Sequence, residues 1–116
     1  MKKLLIFTLF LAGIAAAQPA GNASNGKKLF DSRYGCWECH GYAGQGSRDG
    51  ARIASTALNE QAFIRYVRKP TGAMPAFVEK ILPDPQLADI YAYVKSLPAP
   101  KPVKDVPLLN QMKNAK

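Results

Sequence analysis

Residues 36–40 have the sequence CWECH, and this stretch contains both cysteines and the single histidine of a chain of 116 residues. A disulfide between Cys36 and Cys39 would close such a short loop that it would constrain the unfolded chain very little. A thioredoxin-like redox pair would need a preceding strand and a βαβ pattern, and the sequence has neither. A structural zinc site would need a fourth cysteine or histidine ligand, and the chain has none.

Two cysteines separated by two residues and followed directly by a histidine are typical of the covalent attachment of a c-type haem. The spacing suits the chemistry, because one turn of backbone can bring two thiols to the two vinyl groups of the porphyrin edge. The adjacent imidazole can then reach the iron as its proximal ligand. The sequence therefore predicts one haem c, attached through Cys36 and Cys39, with His40 as an iron ligand.

The sixth iron position needs a second ligand, and after residue 17 the chain offers two methionines and no further histidine. Met74 lies in a loop framed by proline and glycine (residues 70–75), which could present a thioether to the iron. Met112 lies in the C-terminal segment. A gap-filling core methionine is the alternative interpretation of Met74. With Met74 as distal ligand no iron position stays open, so we expect one-electron transfer and no catalytic residue.

The chain divides into a signal peptide (residues 1–17), a domain (residues 18–97) and a C-terminal tail rich in proline and lysine (residues 98–116). The first segment has a basic start, an apolar stretch and an Ala-Ala-Ala cleavage pattern at residues 15–17. Its apolar run is shorter than the roughly 20 residues that cross a bilayer. We therefore expect export to a bacterial periplasm and no membrane span after signal removal.

The sequence predicts an all-α domain, since no strand pattern competes with the helical ones. Three helices are expected: one from a cap at Ser24 or Asn25 towards Tyr34, one over residues 59–68 capped by Asn59, and one over residues 84–97 capped by Asp84. The tail has four prolines, four lysines and little periodicity, and is predicted to be extended and mobile.

The formal net charge of the whole chain is +8, and the leader accounts for two of these charges, which leaves +6 on residues 18–116. The lysines and arginines are scattered without a dense basic run, which argues against a nucleic-acid partner. A redox protein with an acidic docking face fits better; the alternative is that the surplus lysine only keeps a small exported protein soluble. Arg52 and Arg68 are candidates for pairing with haem propionates, with a solvated surface position as the alternative.

Residues 25–97 resemble the class I cytochromes c. The resemblance rests on the following positions: Gly26 and Phe30, the CWECH stretch, Gly41-x-x-Gly44-x-Gly46, Met74-Pro75 and residues 90–93. It implies a cytochrome c fold of three or more helices around the haem. It also implies that the first and last helices cross closely at Gly26, with Phe30 packed near Ile90 and Tyr93.

The sequence departs from the family after the glycine-rich run, where a proline is common and a backbone carbonyl accepts the second N–H of the proximal histidine. Ala51 or Arg52 occupies that region here. A carbonyl survives any substitution, so the orientation of His40 should be preserved.

Three functions are compatible with these features. The first is a monomeric carrier that shuttles electrons between redox proteins. The second is a dedicated haem c subunit of a periplasmic dehydrogenase or respiratory complex, with the tail as a docking strap. The third, a catalytic or gas-sensing haem protein, would need a vacant or easily vacated iron position, and Met74 argues against it.

Overall fold

The computed structural model describes residues 20–115, and all regular elements among them are helical. They are α1 (Ala23–Lys28) with a π-helical continuation (Leu29–Arg33), α2 (Cys36–His40), α3 (Glu60–Arg68), α4 (Asp84–Ser96), a 3₁₀ turn (Val103–Asp105) and α5 (Pro107–Asn114). The predicted all-α class is confirmed. The predicted signal peptide lies outside the described residues. No helix in residues 20–115 has the length and apolar character needed to cross a membrane.

The start of the first helix is one place where the prediction was wrong. Asn22, rather than Ser24 or Asn25, is the N-cap, and its side chain accepts a hydrogen bond from the Asn25 N–H. The Asn22 N–H in turn donates to Asp89 of α4 over 2.6 Å. A long-range contact therefore selects the cap among several polar residues, and local sequence does not report it.

The other two predicted helices lie where they were expected. Asn59 caps α3, as predicted, by accepting a hydrogen bond from the Ala62 N–H. α4 ends before Leu97, but its N-cap position is occupied by Pro83, and Asp84 is the first helical residue. The Asp84 carboxylate instead pairs with Arg68.

The C-terminal tail differs from the extended segment that the sequence predicted. Residues 107–114 form α5, which begins with Pro107 at its first position, where a missing N–H has no cost. Among the described helices α5 packs only against the neighbouring 3₁₀ turn. Leu108, Leu109 and Met112 are all exposed.

The crossing of α1 and α4 forms the frame of the domain. A Cβ atom at Gly26 would lie 1.9 Å from the backbone oxygen of Asp89, so only glycine permits this approach. The Asp89 carboxylate closes the contact by accepting hydrogen bonds from Asn22 and Asn25. Phe30 is fully buried and meets the Tyr93 ring edge-on at 5.4 Å. The crossing implied by the resemblance is therefore present.

The core lies between this crossing and α3. Its buried side chains include Phe63 and Val67 of α3, Leu87 and Ile90 of α4, and Leu82 of the connecting loop. All five also line a cavity on one side of the core. The packing of the helices thus leaves an apolar chamber in the domain.

Candidate haem site

The cavity has a volume of about 530 Å³, and all four predicted site residues lie in its walls. Cys36, Cys39, His40 and Met74 all line it. Ligand pockets commonly measure roughly 300–1,000 Å³ and combine apolar walls with a few polar groups. A covalently attached, largely apolar porphyrin fits this composition, with two thiols, an imidazole and a thioether as its contacts.

The attachment segment, residues 36–40, is the short helix α2. Gly35 precedes it in a left-handed conformation with φ 60°, and the Gly41 N–H closes it on the Trp37 carbonyl. Because one helical turn carries both thiols and the imidazole, their spacing is fixed by local backbone geometry. The predicted single turn is therefore present.

The His40 imidazole is oriented by the backbone of Ala51. The Nδ1 of His40 lies 2.7 Å from the Ala51 carbonyl oxygen. A carbonyl only accepts, so Nδ1 carries the proton, and Nε2 keeps its lone pair for a metal ion. Of the two carbonyls that the sequence left open, Ala51 and Arg52, the structure selects that of Ala51.

The glycine-rich loop after residue 40 holds this carbonyl in place by folding back on the attachment segment. The Gly46 N–H donates to the His40 carbonyl over 2.8 Å, and the Ser47 hydroxyl donates to the Cys39 carbonyl over 2.6 Å. Gly46 has φ +88°, and a Cβ atom there would lie 2.7 Å from the Arg52 nitrogen. Glycine is therefore required for the turn that brings Ala51 to His40.

The two thiols differ in environment. Cys39 is exposed, whereas Cys36 is partly buried. Burial raises the pKa of the Cys36 thiol to about 11, and the neighbouring Cys39 contributes a smaller rise. Within residues 20–115 no cluster of three or more His, Cys, Asp or Glu side chains is arranged to hold a metal ion.

Met74 lies in the loop between α3 and α4, which we call the methionine loop (residues 69–83). Its side chain is partly buried, and Ala73 and Pro75 line the cavity beside it. Met112 is 65% exposed on α5, away from the cavity lining. Of the two methionines, the structure brings only Met74 to the cysteines and His40.

The two arginines considered for haem propionates have protein partners. Arg52 lines the cavity and donates to the Pro98 carbonyl over 2.8 Å. Arg68 is absent from the lining and donates to the Phe77 carbonyl and to Asp84. Arg68 therefore supports the methionine loop through Phe77.

Two residues of the cavity wall were missed by sequence reasoning. Tyr66 of α3 and Thr71 of the methionine loop both line the cavity, and their hydroxyls lie 3.0 Å apart. Tyr66 is 43% exposed, although it lines the cavity. The sequence signal for this residue was its position near the end of the helix that directly precedes the loop of Met74.

Comparisons with known proteins agree with this geometry. A family model described as cytochrome C oxidase, cbb3-type, subunit III matches residues 21–94. Cytochrome c6 of Gloeothece citriformis is 34% identical over 106 residues, a match that covers 81% of this chain and 93% of the relative. No solved structure matches the chain significantly.

Proposed function

The chain belongs to the small monohaem cytochromes c, which bind haem c covalently and act as electron carriers rather than enzymes, and we propose that it transfers single electrons through a haem ligated by His40 and Met74. The observation that carries this proposal is the shared cavity of Cys36, Cys39, His40 and Met74. When bound, the haem iron supplies the one-electron redox couple.

The chain's own residues explain how the iron would be held. The two cysteines would form the thioether links, and the Ala51 carbonyl holds His40 with Nε2 free to act as a ligand. The thioether of Met74 would be the second iron ligand. A soft thioether would favour the reduced state and raise the potential, and ligation by both residues would leave no iron position for oxygen or peroxide.

The proposed site of action is the periplasm of a bacterium, after removal of residues 1–17. The leader pattern of the sequence supports export. Covalent attachment suits this location, because the haem stays with the chain after transient unfolding.

The partner is proposed to be a redox protein with an acidic docking face. Exposed cations are spread over the described surface: Lys27, Lys28, Arg33, Arg48, Arg65, Lys69, Lys80 and Lys95. Trp37, between the two cysteines, stacks on Tyr42 with ring centroids 4.4 Å apart, and Tyr42 is 68% exposed. Aromatic residues are enriched at interface centres, and complementary charge speeds association.

A dedicated haem subunit of a periplasmic dehydrogenase or respiratory complex is the second candidate. It is favoured by α5, whose exposed Leu108, Leu109 and Met112 form one apolar face, with Lys104 and Lys113 nearby. An apolar groove with an acidic rim on the redox partner would bind such a helix. Migration of the purified protein as a monomer at physiological salt would support the carrier, whereas a stoichiometric complex would support the subunit.

The proposed ligands are tested on the exported holoprotein with Met74→Ala and, as a matched control, Met112→Ala. The native protein and Met112→Ala should be low-spin and should not bind carbon monoxide when reduced. Met74→Ala should become high-spin and bind carbon monoxide. Binding of carbon monoxide by the native protein would instead favour the catalytic or gas-sensing function.

A further inference from the structure

The methionine loop is attached to α3 at two points, one on each side of Met74. Near its start, the Thr71 hydroxyl lies 3.0 Å from the Tyr66 hydroxyl. Farther along, the Phe77 N–H donates to the Val67 carbonyl over 3.2 Å. Met74 lies between these two attachments, so its position depends on both of them.

Arg68 makes the second attachment the stronger one. Its Nη1 donates to the Phe77 carbonyl over 2.7 Å. Its Nη2 pairs with the Asp84 carboxylate at the start of α4. The Arg68 side chain is only 20% exposed, so these bonds are partly shielded from water. Hydrogen bonds in which one partner is charged are roughly twice as strong as neutral ones.

This arrangement joins the methionine loop to the two helices that flank it. Arg68 is the last residue of α3, Phe77 lies within the loop, and Asp84 is the first residue of α4. The Phe77 ring also packs edge-on against Tyr34, with centroids 6.1 Å apart. Outward movement of the loop at Phe77 would therefore break the Arg68 bond and the Val67 bond together.

We propose that Arg68 is a positioning residue that keeps the methionine loop closed and thereby sets how readily Met74 yields its place on the iron to an external ligand. The proposal rests on the proposed ligation by Met74. Arg68 does not line the cavity and acts through Phe77 and Asp84.

The geometry of the two acceptors explains why arginine is needed. A planar guanidinium offers donors in a fixed fork, so a carbonyl and a carboxylate can be held at once. A lysine ammonium is a compact point charge on a flexible stem, and it would hold one acceptor well and the other poorly. Arg68→Lys should therefore keep the methionine loop closed less firmly than the native arginine does, but more firmly than Arg68→Gln.

The test is a titration of the oxidised holoprotein with imidazole, which can bind the iron only after Met74 has left. Loss of a hydrogen bond to a charged group costs about 1.5–3 kcal/mol, so Arg68→Gln should increase the affinity for imidazole by roughly tenfold or more. Asp84→Asn, which removes the carboxylate charge and keeps the Phe77 bond, should give a smaller increase. Without imidazole both variants should keep the spectrum of methionine ligation.

The matched control is Arg65→Gln, one turn earlier on the same helix. The Arg65 side chain is exposed and makes no hydrogen bond or ion pair with the described residues. This variant removes the same positive charge from α3, and its imidazole affinity should equal that of the native protein. An increase equal to that of Arg68→Gln would show a general charge effect and would overturn the proposal.

A second control separates loop opening from global stability. Val94 is fully buried in α4 and does not line the cavity. Val94→Ala should lower the midpoint of unfolding without a comparable rise in imidazole affinity. An equal rise in Val94→Ala at equal loss of stability would overturn the proposal.

The outcomes also distinguish this proposal from the proposed function. If the native protein shows no methionine ligation, the assignment of Met74 fails. If the native protein has methionine ligation and Arg68→Gln binds imidazole no better, the ligand assignment stands and the role of Arg68 is wrong.

Discussion

The attachment segment and the methionine loop supply the two sides of the proposed iron coordination in different ways. Residues 36–40 carry two thiols and an imidazole on one helical turn, and the adjacent glycine-rich loop provides the Ala51 carbonyl. The methionine loop depends on Tyr66, Arg68 and Asp84, which lie outside the Pro- and Gly-framed stretch around Met74. One side is therefore encoded locally, and the other by packing between helices.

The largest effect is expected at the attachment segment. Cys36→Ala combined with Cys39→Ala should make the haem extractable with acidic solvent, because no thioether remains. Loss of the haem would expose the apolar walls of a cavity of about 530 Å³ to water, which removes hydrophobic burial that a small domain needs for its stability. Far-ultraviolet circular dichroism should then show loss of helix in the haem-free chain.

Cys36→Ala alone is the control, since one thioether should still hold the haem through extraction. Haem that resists extraction from the double variant would refute the attachment scheme. Unchanged helix content in the haem-free chain would show that the helices fold without the burial that the haem provides.

The next effect concerns the methionine loop. Met74→Ala should lower the reduction potential by on the order of 100 mV, well within the roughly 0.8 V range that axial ligands cover. The helical fold should remain, because Met74 belongs to the loop and both thioethers stay in place. Redox titration with Met112→Ala alongside gives the measurement, and an unchanged potential in Met74→Ala would remove this residue from the axial role.

A smaller effect is expected at the start of the methionine loop. Tyr66→Phe leaves the ring in the wall and removes the hydroxyl that meets Thr71. A neutral hydrogen bond contributes about 1 kcal/mol, so the affinity of the oxidised protein for imidazole should rise roughly fivefold. A rise larger than that of Arg68→Gln would show that the start of the loop, rather than the Arg68 contacts, controls its opening.

The smallest effect is expected at Ala51. Ala51→Gly keeps the carbonyl that accepts the His40 Nδ1–H, so the potential should stay unchanged while stability falls by no more than about 1 kcal/mol. Redox titration and thermal unfolding measure the two quantities. A shift as large as that of Met74→Ala would mean that the side chain, and not the carbonyl, orients His40.

The same contrast explains how much could be predicted from sequence. Cys36, Cys39 and His40 form a contiguous pattern whose spacing is itself the chemical requirement, so the helical turn that brings them together at the cavity was predictable from the sequence. The cap at Asn59 and the end of α4 before Pro98 depend equally on local sequence and were located correctly.

The remaining features depend on contacts between distant residues. The N-cap at Asn22 is selected by Asp89 of α4, and the role of Arg68 is decided by Phe77 and Asp84. The prediction of an extended tail was wrong at α5. Leu108, Leu109 and Met112 have helical spacing, but this pattern is short and lies among prolines and lysines. Such features can be identified only from the tertiary structure.

The claim that His40 and Met74 ligate one haem iron can be tested with the near-infrared spectrum of the oxidised holoprotein. We expect a methionine-to-ferric-iron charge-transfer band in the native protein and in Met112→Ala, and its loss in Met74→Ala. Absence of the band from the native protein, or its persistence in Met74→Ala, would contradict the claim.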